Sequence, residues 1–115
     1  MTSCIRSIIA NIKSGINEKD IELTIVEGGS KDNALVKAAR FENELEMKMI
    51  RPAFASISCQ LNEGASIAAG DILVFLHADC TLPVNALQKI KNVFKRLSDL
   101  LAGAFTMKVE GARFL

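Results

Sequence analysis

The stretch from Gly70 to Asp79 constrains the fold most, because it has the pattern of a buried strand that ends in polar groups. An unbroken apolar run covers residues 72–76, and such runs are typical of strands covered on both faces of a parallel sheet. A buried helix segment can show the same run, but Gly70 and Pro83 leave room only for a short element. The sequence therefore predicts a strand whose carboxyl end carries His77 and Asp79.

His77 and Asp79 are two residues apart, which places both side chains on the same side of a strand end. In open α/β sheets, ligands bind outside the carboxyl ends of the strands. A carboxylate and an imidazole there can bind a divalent ion, and Asp79 is the preferred ligand because Mg²⁺ and Mn²⁺ favour oxygen. The alternative is that His77 is a buried histidine with satisfied hydrogen bonds and that Asp79 caps a turn. The residues alone leave both interpretations open.

A glycine-rich turn follows a second predicted strand, at residues 22–27. Its residues are Glu27, Gly28, Gly29, Ser30, Lys31 and Asp32. The glycines permit a tight turn, and the Ser30 hydroxyl with free amides at the next helix start can hold an anion or a ribose hydroxyl. Glu27 can accept hydrogen bonds from a base or a sugar. The alternative is an ordinary turn capped by Asp32, and the glycine spacing matches neither the P-loop nor the dinucleotide motif.

Helical and strand patterns alternate along the whole chain. Apolar residues at helical spacing predict a first helix with Thr2 or Ser3 as its cap, and others from about residue 32, over 54–69 and from about 83 to 101. Strands are predicted at 22–27, 47–50, 72–76 and 104–109. This alternation favours a single three-layer α/β domain over residues 1–115, with a mainly parallel sheet and helices on both faces. Right-handed crossovers then bring residues 28–32, 51–52 and 77–79 to one edge.

Composition excludes several classes of function. The chain has 115 residues, with 14 Lys plus Arg against 13 Asp plus Glu and a net charge of +1, so no nucleic-acid partner is expected. Its apolar runs are far shorter than the roughly 20 residues that span a bilayer, and residues 1–11 lack a signal-peptide pattern. We therefore expect a cytoplasmic protein without a transmembrane segment. Three cysteines without metal-site spacing predict reduced thiols.

Four blocks together resemble the family 2 glycosyltransferases, which have the nucleotide-sugar-binding fold called GT-A. The blocks are residues 25–32, 60–65, 70–79 and 82–83. Their order and spacing match over most of the chain, and the likeness is greatest to a subgroup with a His-Ala-Asp motif. The resemblance implies a nucleoside diphosphate sugar as donor substrate, a divalent ion (Mn²⁺ or Mg²⁺) and transfer of the sugar to an unknown acceptor.

The resemblance also implies roles for matched residues. Glu27 stands where the family has an aspartate that contacts the nucleotide base, in the same turn as Gly29, Ser30 and Asp32. Asp79 is the last acid of a D-x-D-like motif that meets the metal and the diphosphate, and His77 replaces the first acid. Gln60 and Asn62 match a polar pair that faces the nucleotide-sugar pocket.

The chain departs from the family pattern in two ways. The family begins with a strand and a Pro-x-x-Asn-Glu-like loop that are absent here, and the half that binds the acceptor and supplies the catalytic base would lie beyond Leu115. The absent strand would sit in the middle of the sheet, so its neighbours would have unpaired backbone groups. We therefore expect a homo-oligomer or a partner chain that completes the sheet. The alternatives are a non-catalytic remnant or subunit that uses the scaffold for protein association, and a metal-independent phosphate-binding module.

Overall fold

The structure is a computed structural model that describes residues 2–28, 34–54 and 56–105. In chain order its elements are α1 (Thr2–Lys13), a short 3₁₀ helix (Glu18–Asp20), β1 (Leu23–Val26), α2 (Ala34–Ala39), β2 (Met47–Ile50), α3 (Ile57–Ile67) and α4 (Ala86–Arg96). Helices and strands alternate as the sequence predicts from α1 to α3, but α4 follows α3 without a described strand between them, and both of these helices are shorter than expected.

Helix α1 forms because its apolar side chains recur at helical spacing. Ile5, Ile8 and Ile9 are buried in the core and Ile12 packs against it. The helix already includes Thr2 and Ser3, so the prediction that one of them caps it is wrong. The chain leaves the helix through Gly15, whose φ of 140° lies in a region that glycine adopts without strain.

Strands β1 and β2 form a parallel pair in the register Leu23 with Met47 through Val26 with Ile50. Ile25 of β1 is buried in one core with α1 residues and with Ala38, Phe41 and Leu45. Both strands lie where the sequence predicts them, and the α/β class with a parallel sheet is confirmed.

Helices cover both faces of β1. Ile25 shares the core cluster with residues of α1, whereas a Cβ added at Gly64 of α3 would lie 3.1 Å from Val26 Cγ2. Consecutive strand residues point to opposite faces, so α1 and α3 lie on opposite sides of the sheet. Glycine at position 64 allows α3 to approach β1 closely. Ser56 begins α3 as its N-cap, with its Oγ accepting a hydrogen bond from Cys59 N at 3.2 Å.

The predicted buried strand at residues 72–76 differs from the structure. No strand among the described residues pairs with it, and the described sheet has two strands, β1 and β2. Leu73, Val74 and Phe75 are also exposed, so burial on both faces was wrongly predicted. The apolar run gives residues 72–76 the tendency to form a strand. Burial of a strand depends on neighbouring elements, and here an open cleft lies between these residues and β1.

The remaining predictions about the scaffold have mixed outcomes. Cys4, Cys59 and Cys80 are all free thiols, as expected. The predicted last strand falls mostly on residues 106–109, outside the described part of the chain. Among the described helices, none combines the length and the apolar character needed to cross a bilayer.

Candidate functional site at the carboxyl ends of the strands

Glu27 follows β1 directly and is held at the strand end by two interactions. Its backbone N–H donates to Ile50 O at 3.0 Å, which continues the ladder between the strands. Its Oε2 lies 3.2 Å from Arg51 Nε, and the Glu27 side chain is only 3% exposed. Because Val26 pairs with Ile50, Glu27 and Arg51 are the next residues along the same register. The prediction that these two strand ends share one edge is confirmed.

Arg51 as a partner of Glu27 was missed by the sequence reasoning, which singled out Arg51 only as a strand end. Its side chain is 70% exposed while its Nε contacts the buried carboxylate. The signal available in the sequence was its position directly after β2, since parallel strands in register place the following residues side by side. The ion pair puts one positive group at the carboxyl ends of β1 and β2.

Gln60 of α3 lies directly over Gly28. A Cβ at Gly28 would overlap the Gln60 side-chain amide, so the glycine gives the amide space beside the backbone. Gln60 is half-buried and lines the cleft that runs along β1. The structure thus brings together two of the blocks that the sequence analysis connected, at residues 27–28 and at Gln60.

Asn62 is not brought to the same place as Gln60. Two residues along a helix rotate a side chain by about 200°, and Asn62 is exposed and does not line the cleft. Its contact with a nucleotide sugar stays a prediction. Gly29, Ser30 and Asp32 lie outside the described residues, so their roles also stay predictions.

His77 and Asp79 form an exposed pair after residues 72–76. Their Nδ1 and Oδ2 atoms are 3.7 Å apart, and the side chains are 66% and 89% exposed. A backbone hydrogen bond from Cys80 N to His77 O at 2.9 Å closes the turn that presents them. Cys4 Sγ also donates to His77 O at 3.8 Å and ties the turn to α1. The alternative of a buried, satisfied His77 is therefore wrong.

This pair supplies only two ligands, and its side chains would have to rotate before both could bind one octahedral ion. At metal–ligand distances near 2.1 Å, octahedral ligands lie roughly 3.0 Å apart when adjacent and roughly 4.2 Å apart when opposite. The separation of 3.7 Å between Nδ1 and Oδ2 falls between these values. Within the described part of the chain, no group of three or more metal-ligating side chains exists. Water and ligand phosphates would have to complete the coordination.

One open cleft connects these groups. Its volume is about 1010 Å³, and Val26, Gln60 and His77 all line it. Glu27, the residue after Val26, does not line the cleft, and its side chain is buried against Arg51. The carboxyl end of β1, the start of α3 and the His77 turn therefore meet at one opening.

Comparison with known proteins agrees with this architecture. The family model described as "Glycosyl transferase family 2" matches residues 1–114. The chain is also similar to an uncharacterised glycosyltransferase of Nostoc sp., with 32% identity over 98 residues. That match covers 83% of this chain but 29% of the relative, so the chain spans less than a third of the relative's length. No solved structure matches.

The matched range includes every described element and each of the strand ends that build the site. The α/β fold, with its parallel strands and helices on both faces, is accordingly a partial GT-A domain. This chain belongs to glycosyl transferase family 2.

Proposed function

We propose that the chain binds a nucleoside diphosphate sugar together with Mn²⁺ or Mg²⁺ and serves as the donor-binding part of a glycosyltransferase. The observation that carries this proposal is one cleft that Gln60 and His77 both line and that reaches Val26, the residue before the buried carboxylate of Glu27. A buried carboxylate with a fixed orientation suits recognition of a base or a ribose. An exposed imidazole–carboxylate pair suits a metal-bound diphosphate.

In this proposal each group has a separate task. Glu27, held by Arg51 at 3.2 Å, accepts hydrogen bonds from the base or sugar of the nucleotide. Gln60 donates or accepts through its amide beside Gly28, and the turn residues Ser30 and Asp32 contact the nucleotide. Asp79, assisted by His77, holds the divalent ion. The ion, when bound, would supply electrostatic stabilisation to the departing diphosphate.

These groups do not by themselves account for transfer of the sugar to an acceptor by this chain alone. A general base must lie within hydrogen-bond reach of the acceptor hydroxyl, and neither Asp99 nor Glu110 has a supporting motif in the sequence. We therefore propose donor binding for the chain and sugar transfer for the whole protein of which such a domain is part. A cytoplasmic location belongs to the same proposal.

The direct test is thermal unfolding of the 115-residue chain with UDP or GDP, with and without Mn²⁺. At about one hundred times its Kd, a ligand stabilises the folded state by about 2.7 kcal/mol, which corresponds to a rise in Tm of roughly 10 °C or more for a domain of this size. We expect this rise only when Mn²⁺ is present.

Asp79→Asn provides the decisive variant, and Asp99→Asn is its matched control because both aspartates are exposed. We expect Asp79→Asn to lose the Mn²⁺-dependent shift and Asp99→Asn to keep it. A shift that persists without metal would favour the metal-independent phosphate-binding module. The absence of any shift with either nucleotide would contradict donor binding.

The second candidate is a non-catalytic remnant or subunit that acts through protein association. Exposure of Leu73, Val74 and Phe75 on one segment favours it, since contiguous exposed apolar surface marks interaction sites. For this candidate we expect a homo-oligomer or a complex with a partner chain. Light scattering during size-exclusion chromatography distinguishes either of these from a monomer. A stable monomer with no affinity for other polypeptides would contradict this candidate.

A further inference from the structure

Three side chains on one face of α1 bind the segment that carries the His77 turn. Cys4, Ser7 and Asn11 are three and four residues apart, so they lie along the same face of the helix. Cys4 Sγ donates to His77 O at 3.8 Å. Ser7 Oγ and Asn11 Nδ2 bind backbone atoms of residues 82–83 at 3.0 and 3.1 Å. The position of Cys4 beside the turn is therefore set by three contacts in the same register.

Cys80 lies against the same carbonyl group as Cys4. Its N–H donates to His77 O at 2.9 Å, whereas Cys4 Sγ lies 3.8 Å from that oxygen. Cys4 Sγ and the Cys80 backbone nitrogen are therefore separated by no more than the sum of these two distances. The Cys80 sulfur is three bonds from that nitrogen and reaches different positions by rotation about χ1. Burial raises the pKa of the Cys4 thiol, and the Cys80 thiol raises it further, which agrees with two sulfurs that lie near each other.

The two thiols differ in their access to solvent. Cys4 is 6% exposed, whereas Cys80 is half-buried and follows Asp79, whose side chain is 89% exposed. Oxidants react first with the more accessible thiol, and redox-sensing cysteines are often placed next to a second cysteine that resolves the oxidised form. Cys80 therefore has the position of the thiol that is oxidised first, and Cys4 has the position of the resolving thiol.

Cys59 has no such relationship with Cys4. It belongs to α3, which lies on the opposite face of β1 from α1. A disulfide requires Cα atoms about 4.4–6.8 Å apart, and a sheet between two helices prevents this approach. The turn that carries Cys80, by contrast, lies on the side of α1 and is presented to solvent, so a local shift of the turn can bring its Cα atom to that range.

We propose that Cys4 and Cys80 form a redox-sensitive pair, which a peroxide oxidises to a disulfide that ties the turn of His77 and Asp79 to α1. In the structure both cysteines are free thiols, which is the reduced state of this pair. Because Cys80 follows Asp79 directly, the disulfide restrains the exposed turn at its base. The inference does not depend on donor binding or on glycosyl transfer.

The chemistry takes two steps with hydrogen peroxide as the oxidant. The Cys80 thiolate attacks one peroxide oxygen and the O–O bond breaks, which leaves a sulfenic acid on Cys80 and releases hydroxide, which becomes water with the proton that Cys80 lost. The Cys4 sulfur then attacks the Cys80 sulfur, the S–S bond forms, and the sulfenic oxygen leaves as water with the proton from Cys4. The two thiols lose two electrons to the peroxide, and a dithiol reverses the reaction by exchange.

Peroxide treatment of the full 115-residue chain tests the proposal. The chain carries Cys59→Ser, which removes the third thiol, and the buffer contains a chelator so that no metal catalyses the oxidation. Remaining thiols are blocked with iodoacetamide, and the digest is analysed by mass spectrometry without reduction. We expect an intramolecular cross-link between the peptides of Cys4 and Cys80, with a mass lower by two hydrogens, which dithiothreitol removes.

Two serine variants in the same Cys59→Ser chain separate the roles of the two thiols. With Cys4→Ser, the sulfenic acid of Cys80 has no resolving thiol, and we expect at least fivefold more of it to be trapped by dimedone than in the chain that retains Cys4. With Cys80→Ser, we expect neither the cross-link nor dimedone labelling of Cys4. Both substitutions keep the side chains close to their original size.

The oxidised chain provides a readout of the restraint itself. We expect hydrogen exchange at the Cys80 amide to become at least fivefold slower, and Tm to rise by roughly 5 °C or more, since a disulfide that fits the fold stabilises it. A cross-link that forms only in urea, or one that lowers Tm, would show that the native turn does not reach α1 and would overturn the proposal. Equal dimedone trapping with and without Cys4, or disulfides only between different chains, would overturn it as well.

Discussion

The carboxylate of Glu27 and the guanidinium of Arg51 lie 3.2 Å apart at the carboxyl ends of two adjacent parallel strands. The Glu27 side chain is almost fully buried, whereas most of the Arg51 side chain is in solvent. The pair therefore fixes the carboxylate within the fold and leaves a planar, largely exposed cation at the ends of the two strands. Arginine is well suited to this position because it can hold a carboxylate and still present further donors to an anion.

Replacing Arg51 by glutamine should destabilise the fold. The change removes a cation from a buried carboxylate, and we expect a loss of about 1 kcal/mol, since the exposure of Arg51 places the pair between a surface and a buried ion pair. Urea unfolding at pH 7 measures it. Lys13→Gln is the control, because Lys13 and Glu44 are exposed and 4.0 Å apart. Equal losses in both variants would contradict a special role for the Glu27 pair.

Replacing Gly28 by alanine should weaken nucleotide binding more than it affects stability. The new Cβ would take the place of the Gln60 amide, and the flexible glutamine would have to turn away. We expect at least fivefold weaker binding of UDP with Mn²⁺ in calorimetry and little change in Tm. Gly103→Ala is the control, because nothing lies within 4 Å of a Cβ there. If donor affinity stays the same in Gly28→Ala, Gln60 does not contribute to the site.

Replacing Asn11 by alanine should separate α1 from the start of α4. Its Oδ1 accepts from Leu87 N at 3.0 Å and its Nδ2 donates to Pro83 O at 3.1 Å. The Asn11 side chain is buried, and its loss removes the acceptor of the part-buried Leu87 N–H and one of the two donors to Pro83 O, which should cost about 1–3 kcal/mol in unfolding free energy. Asn92→Ala, which removes an exposed contact with Gln88, should change stability by less than about 0.5 kcal/mol. Equal effects would contradict this assignment.

Stability should decrease in acid partly through Glu22. Hydrogen bonds, first from Lys48 and then from the Ala69 backbone, lower the pKa of the Glu22 carboxyl below its ordinary 4.5. A lowered folded-state pKa means that the carboxylate stabilises the fold above pH 4.5 and that this contribution disappears as the pH falls through the folded pKa. Urea unfolding of Glu22→Gln should therefore show a smaller change between pH 6 and pH 3. A pH dependence identical to that of the parent chain would refute this.

Cys4 should be the slowest of the three cysteines to be alkylated. Burial raises the pKa of its thiol, so less thiolate is present at neutral pH and reagents have less access to it. Mass spectrometry after iodoacetamide treatment at pH 7.5 should find Cys59 and Cys80, both half-buried, modified first. Preferential labelling of Cys4 in the folded chain would contradict the position of α1 over the His77 turn.

Local sequence patterns anticipated most of the secondary structure. The isoleucines of α1 have helical spacing and are buried, and both β1 and β2 lie where apolar residues and turn signals place them. The sequence also anticipated that the carboxyl ends of β1 and β2 lie at the same edge of the sheet, although it did not identify the contact between Glu27 and Arg51. These features follow from the periodicity of apolar residues and from turn signals, and each of these depends on only a few neighbouring residues.

Contacts between segments that are distant in the sequence could not be predicted from such local patterns. No pattern in the neighbouring sequence indicates that Asn11 contacts the start of α4, because both strands lie between these two segments along the chain. The exposed turn of His77 and Asp79 also depends on where residues 72–76 end relative to α1. Such contacts are decided by packing and not by propensity.

The sequence by itself determined the order of helices and strands and the identity of the polar groups at the strand ends. Only the tertiary structure decided which of those groups meet and that residues 72–76 lie exposed beside a cleft. The physical reason is that an apolar run favours extended chain locally, whereas hydrogen bonding and burial of a strand depend on neighbours from elsewhere in the fold.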